Sequence, residues 1–121
     1  MKLTMLWIAA MLIAMPSALF AHSPKGANGG IQADAGNYHV EVVPNGTILL
    51  VFLRDHADKD VKSEGFKGTA IFVVGGKSHR ILLTPAGENR LSGTASVDLP
   101  AEPKGAVQIT TPTGSTVQAK F

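Results

Sequence analysis

Two side chains on one short segment, His39 and Glu41, have the types and spacing that a metal ion could use. They lie within Tyr38–Val43, where polar and apolar residues alternate as in a half-buried β-strand. Side chains two residues apart on a strand project from the same face, about 6.6 Å apart along the chain. An imidazole nitrogen and a carboxylate oxygen could therefore reach one ion, although an outward histidine and glutamate on a solvated face would give the same pattern.

His22 is a second candidate ligand, because removal of an export signal is expected to make it the first residue. Residues 3–15 are apolar apart from Thr4, and Pro16 is followed by a region rich in small residues that ends at Ala21. This pattern is typical of a signal peptide cleaved after Ala21, which predicts a periplasmic or secreted protein. An amino-terminal histidine offers its α-amine and an imidazole nitrogen as a chelating pair for copper(II) or nickel(II). Without that cleavage, His22 is an ordinary polar residue.

Whether the remaining two histidines, His56 and His79, could act as ligands depends on how the chain around them folds. His56 lies in the charged segment 55–60, which is also typical of a solvated turn. If the preceding strand continued straight, His56 would lie about 13 Å beyond Phe52, the residue predicted to pair with His39. A role as a ligand beside His39 therefore requires this segment to fold back. A two-residue Gly-Gly loop at 75–76 places His79 on the more apolar face of its strand, which favours a residue at the edge of the core.

The composition excludes several other kinds of site. The sequence has no cysteine, and all four methionines precede the predicted cleavage site, so an exported chain could not form a blue-copper centre or a soft copper(I) site. It contains no nucleophile elbow, HExxH helix or phosphate loop, which argues against an enzyme. The 11 Lys+Arg and 9 Asp+Glu nearly balance, which argues against nucleic-acid binding. The absence of a lipid-attachment cysteine argues against a membrane anchor after cleavage.

Short apolar runs separated by turn residues predict one all-β domain at 31–121, after the signal at 1–21 and a flexible, glycine-containing arm at 22–30. The spacing of the runs is typical of an antiparallel Ig-like β-sandwich of about seven or eight strands. The predicted strands are 31–33, 38–43, 47–54, 68–74, 77–84, 91–99, 105–111 and 116–121.

The first predicted hairpin assigns side chains to faces. A two-residue loop at 45–46 pairs Glu41 with Leu50 and His39 with Phe52, and it sends all four side chains to the outer face. The alternate residues of the two strands then form the core. Because the outer face also carries apolar side chains, we expect the arm, a neighbouring strand or a partner to cover part of it.

Four segments together resemble a small β domain of the periplasmic adaptor proteins of heavy-metal efflux pumps and of their stand-alone relatives. They are HSPKGANGG at 22–30, NYHVEVV at 37–43, LRDHADKDV at 53–61 and LTPAGENRL at 83–91. The resemblance implies a β-sandwich associated with transition metals, with His22 and His39 at the matching positions. Lys25 and Ala27-Asn28 depart from this pattern, in which a second histidine precedes the paired glycines. The amino-terminal histidine is also similar to that of the periplasmic copper-resistance carriers.

These observations predict an exported protein that binds a divalent transition metal, with copper(II) favoured and zinc or nickel as alternatives. It would act as a carrier, a buffer or an accessory of a metal-efflux component. The predicted ligands are His22, His39, Glu41 (as a ligand or an outer contact) and His56. The alternative is a metal-free interaction or adhesion module of the periplasm, whose outer face at Leu50 and Phe52 meets a partner.

Cleavage after Ala21 predicts the mass of the exported protein. When the full chain is produced with its own leader, we expect the exported product to have the intact mass of residues 22–121, because the small residues before that site fit the export peptidase. Intact-mass spectrometry and sequencing of the amino-terminal peptide measure this directly. A first residue other than His22 would contradict the amino-terminal chelate.

Overall fold

Eight antiparallel strands make up the structure, a computed structural model that describes residues 24–121; the predicted signal at 1–21 and His22 lie outside the described residues. The strands are β1 (Ile31–Ala35), β2 (Tyr38–Asn45), β3 (Ile48–Asp55), β4 (Lys67–Val74), β5 (Lys77–Pro85), β6 (Arg90–Thr94), β7 (Lys104–Thr110) and β8 (Thr116–Lys120). Residues 24–121 contain no helix, and hence none suited to crossing a membrane. The prediction of an all-β antiparallel fold with seven or eight strands is therefore confirmed.

All eight strands belong to one sheet, in the order β1-β2-β3-β6-β5-β4-β7-β8. The sheet curls until β1 lies beside β8, which makes a nearly closed barrel. Most of β5 pairs with β4, and its last residues, Thr84 and Pro85, pair with β6. An Ig-like sandwich has two separate sheets, whereas β5 joins the two halves here. Hairpin signals predict neighbours in sequence, and they carry no information on the β3–β6 contact that makes the sheet continuous.

The β2–β3 hairpin confirms the predicted faces with a different register. Its loop is 46–47 rather than 45–46, so Glu41 pairs with Phe52 and His39 with Arg54. The predicted pairs are thus wrong by two residues. Because the side-chain period of a strand is two, this shift leaves every side chain on its predicted face. The glycine that opens the loop has a φ of 60°, a conformation that glycine adopts readily.

Strand β6 ends earlier than the sequence predicts. It ends at Thr94, whereas the alternating pattern continues to residue 99. Beyond β6, Ala95 N donates to Thr47 O and Leu99 N donates to Gly46 O, so the chain leaves the ladder and covers the end of the β2–β3 hairpin. The apolar residues after β6 reflect this packing rather than a longer strand.

The core lies inside the curled sheet and receives inward side chains from every strand. Its largest apolar members are Phe72, Leu49, Leu53, Ile81, Leu83, Leu91, Ile109, Val40, Val42, Val51 and Val107, all fully buried. Neighbours on β4 illustrate the two faces, since Phe72 is 0% exposed and Ile71 is 43% exposed. His79 pairs with Phe72 across the predicted 75–76 loop and is half-buried, as expected for a histidine at the edge of the core.

Replacement of these two neighbours tests the division into faces. Phe72→Ala should lower the free energy of unfolding by about 3–5 kcal/mol, because it leaves a cavity in a close-packed core. Ile71→Ala, the matched control on the outer face of the same strand, should lower it by less than about 1 kcal/mol. Chemical denaturation of both variants measures the difference. Equal losses would contradict the assignment of β4.

Candidate functional site

The amino-terminal arm is fixed to the outer face of β2 by Glu41. The Glu41 side chain is 1% exposed, and its carboxylate accepts hydrogen bonds from Asn28 N (2.9 Å), Asn28 Nδ2 (3.0 Å) and Gly30 N (2.8 Å). Burial of a carboxylate is costly unless its oxygens receive such donors. Glu41 was predicted as a metal ligand or an outer contact, and the structure places both of its oxygens against the arm.

Two glycines allow the arm to lie this close to the sheet. A Cβ on Gly26 would lie 2.1 Å from Glu41 Cδ, and a Cβ on Gly30 would lie 2.2 Å from Val42 O. A side chain at either position would therefore displace the arm or the strand beneath it. Between the glycines, Asn28 supplies both a backbone and a side-chain donor to the carboxylate.

The arm runs antiparallel to the start of β1. Lys25 forms a β-bridge with Ile31, and Gln32 N donates to Pro24 O over 2.8 Å. Pro24 is thereby held beside Gln32, whose side chain lies on the same face of β1 as that of Asp34. Pro24 is thus beside Gln32, and the next side chain on that face of β1 is Asp34.

His39 lies between Asp34 of β1 and Arg54 of β3 in the register of the sheet. Its Nδ1 is 2.6 Å from Asp34 Oδ1. A carboxylate can only accept a hydrogen bond, so His39 donates from Nδ1 and keeps the lone pair of its neutral form on Nε2. That nitrogen is 3.8 Å from Asp58 Oδ1, too far for a hydrogen bond. The imidazole therefore presents an oriented donor atom toward a second carboxylate.

The segment after β3 folds back over His39. Asp55 N donates to Lys59 O, Asp55 Oδ1 accepts from Lys59 N, and Asp58 adopts a left-handed φ of 59°. This turn brings the ring centroid of His56 to 5.2 Å from that of His39, with an interplanar angle of 83°. The chain after β3 therefore reverses direction, as it must if His39 and His56 are to bind the same ion.

Arg54 separates His39 from Glu41. Its Nη2 donates to Gln32 Oε1, so the hydrogen bond joins β3 to β1 across β2. His39 pairs with Arg54 and Glu41 pairs with Gln32, so this bond passes between the two outward side chains of β2. The structure brings His39 together with His56 and separates it from Glu41 by a cationic group.

We call Asp34, His39, His56 and Asp58 the His39 cluster. Within residues 24–121, no group of three or more His, Cys, Asp or Glu side chains is arranged to hold a metal ion. The cluster offers one oriented lone pair, with an exposed imidazole and two exposed carboxylates near it. A bound ion would require further donors. His79 is elsewhere, with its Nδ1 3.3 Å from a serine hydroxyl.

Sequence reasoning missed two members of the cluster, Asp34 and Asp58. Strand β1 extends to Ala35, and the two-residue loop at 36–37 pairs Asp34 with His39. A Gly-Asn pair between two extended segments is a hairpin signal, so this contact was accessible from the sequence. The position of Asp58 depends on a left-handed residue in the turn after β3, for which the sequence carries no comparable signal.

No family model matches this chain, and no curated protein or solved structure matches it. The resemblance to heavy-metal efflux adaptor proteins therefore stays a prediction that rests on the four sequence segments.

The Asp34 contact predicts the tautomer of neutral His39. Long-range 1H–15N NMR of the imidazole should identify Nδ1 as protonated and Nε2 as free, because Asp34 accepts the Nδ1 proton. Asp34→Ala should shift the population toward the Nε2-protonated form. Asp98→Ala is the control, since Asp98 is exposed beside Gly46 at the opposite end of the hairpin. An Nε2-protonated imidazole in the unsubstituted protein would contradict the assignment.

Proposed function

We propose that the exported protein binds a divalent transition metal, copper(II) in the first place, at the His39 cluster, and that the amino terminus of His22 completes the site. The observation that carries this proposal is the 2.6 Å contact between His39 Nδ1 and Asp34. Carboxylate–histidine pairs of this kind orient metal-binding imidazoles and raise their basicity. The free Nε2 points toward Asp58, an exposed carboxylate that can adjust to an ion.

The spacing of the donors supports a small ion between them. Ligands at about 2.0–2.2 Å lie about 3 Å apart when they are adjacent around a tetragonal copper(II) ion, and about 3.4 Å apart around a tetrahedral zinc(II) ion. His39 Nε2 and Asp58 Oδ1 are 3.8 Å apart, so the exposed Asp58 side chain would move toward His39 by less than about 1 Å. His56 is exposed on the same turn, so its imidazole can approach with a change of side-chain rotamer.

The remaining donors come from His22 in this proposal. Its α-amine and imidazole nitrogen form a chelate that favours copper(II), which binds such donors more tightly than zinc or nickel does. Pro24 is held beside Gln32, and two residues of chain span at most about 7 Å. In this proposal, the amino terminus therefore lies at most about 7 Å from Pro24, and Gln32 beside Pro24 shares its face of β1 with Asp34. Glu41 takes no part as a ligand, because the arm engages both of its oxygens.

A site of this kind suits transfer of the metal. Its ligands come partly from an arm and partly from exposed side chains, so a partner can exchange ligands with it stepwise. We therefore propose a carrier or buffer in the periplasm, or an accessory of a metal-efflux component, as the resemblance of four sequence segments to efflux adaptors implies. Zinc or nickel would occupy the same donors more weakly.

Calorimetric titration of copper(II) into the exported protein tests the proposal. We expect one ion per chain, and at least a tenfold loss of affinity in His22→Ala and in His39→Ala, because each removes a nitrogen donor. His56→Ala should lower the affinity less, since its imidazole must first reorient. Zinc(II) should bind more weakly than copper(II) to the unsubstituted protein.

His79→Ala is the matched control for that titration, because it removes an imidazole outside the His39 cluster. It should leave the copper(II) affinity unchanged. Absence of binding, or binding that neither His22→Ala nor His39→Ala weakens, would contradict the proposal and favour the metal-free interaction module.

A further inference from the structure

We infer that Glu41 is a positioning residue for the metal site: by fixing the arm, it limits how far the amino terminus can lie from the His39 cluster. This inference rests on the proposed function. It assigns Glu41 a role in the affinity of the site without contact to the ion.

The contacts of Glu41 support positioning rather than coordination. Its carboxylate is buried and receives three N–H donors from Asn28 and Gly30. An ion could reach this 1%-exposed carboxylate only if the arm moved away, which would cost these hydrogen bonds. The Arg54–Gln32 hydrogen bond also lies between Glu41 and His39. The ion therefore meets His39, while Glu41 binds the chain that delivers the other ligand.

The position of the arm sets the length of the tether. With the arm in place, Pro24, two residues after His22, is held by the hydrogen bond that its carbonyl oxygen accepts from Gln32 N. Without the Glu41 contact, the short bridge at Lys25 lacks support, and the first firmly paired residue becomes Ile31, nine residues after His22. The effective concentration of a tethered ligand falls roughly as the −3/2 power of tether length. Release of the arm should therefore weaken copper(II) binding about tenfold.

Two variants release the arm from opposite sides. Glu41→Gln replaces an acceptor oxygen with a donor that faces N–H groups. Gly26→Ala leaves the carboxylate intact but introduces a Cβ 2.1 Å from Glu41 Cδ. Asp98→Asn is the matched control, since it removes an exposed carboxylate at the other end of the hairpin. Thermal unfolding of each exported variant establishes that it is folded.

Copper(II) titration of these variants separates positioning from coordination. We expect Glu41→Gln and Gly26→Ala each to weaken binding about tenfold, and Asp98→Asn to leave it unchanged. In a His22→Ala background, the arm variants should weaken binding less than they do in the unsubstituted background, because only the α-amine of the chelate remains to be positioned. A general loss of structure would weaken binding equally in both backgrounds.

Three results would overturn the inference. If Glu41→Gln weakens binding and Gly26→Ala does not, Glu41 is itself a ligand. If neither variant weakens binding, or if both weaken it as much after His22→Ala as before, the arm does not position the amino terminus. The proposed function fails separately, through absence of copper(II) binding by the unsubstituted protein, and the inference fails with it.

Discussion

A carboxylate buried against a sheet requires hydrogen-bond donors, and Glu41 takes its donors from the amino-terminal arm. Hydrogen bonds to a charged group contribute about 1.5–3 kcal/mol each, so three of them hold a short segment that has little apolar surface to bury. The close approach requires glycine at positions 26 and 30, where a Cβ would overlap Glu41 or the β2 backbone. The path of the arm along β1 follows from this contact.

The same strand carries two outward side chains with opposite roles. Glu41 is shielded by the arm, whereas His39 is flanked by Asp34 and reached by the turn that carries His56. Their separation follows from the neighbouring strands, because Arg54 and Gln32 join across β2 between them. A spacing of two residues on a strand places side chains on one face, but the cross-strand neighbours determine what each of them contacts.

The face assignments could be predicted because they depend only on alternation. The β2–β3 register differs by two residues from the predicted one, and each side chain nevertheless points to its predicted side. The end of β6 could not be predicted, because apolar residues such as Ala95 also alternate where the chain packs outside the ladder.

The candidate site depends on features that a pattern of residue types does not encode. A turn from Asp55 to Asp58, which ends in the left-handed Asp58, holds His56 beside His39. The donors that engage Glu41 lie 11 to 13 residues away in a segment that the sequence predicts as flexible. Asn28, one of the residues by which the arm departs from the efflux-adaptor pattern, supplies two of them.

The most direct test of the central claim is NMR, at substoichiometric copper(II), of a chain that begins at His22. The paramagnetic ion broadens signals of nuclei close to it, so it locates the site without any substitution. We predict that broadening begins at His22, Asp34, His39 and at 55–58, while the signals of His79 and of β7 remain sharp. Broadening centred on His79, or spread evenly over surface carboxylates, would contradict a metal site at the His39 cluster.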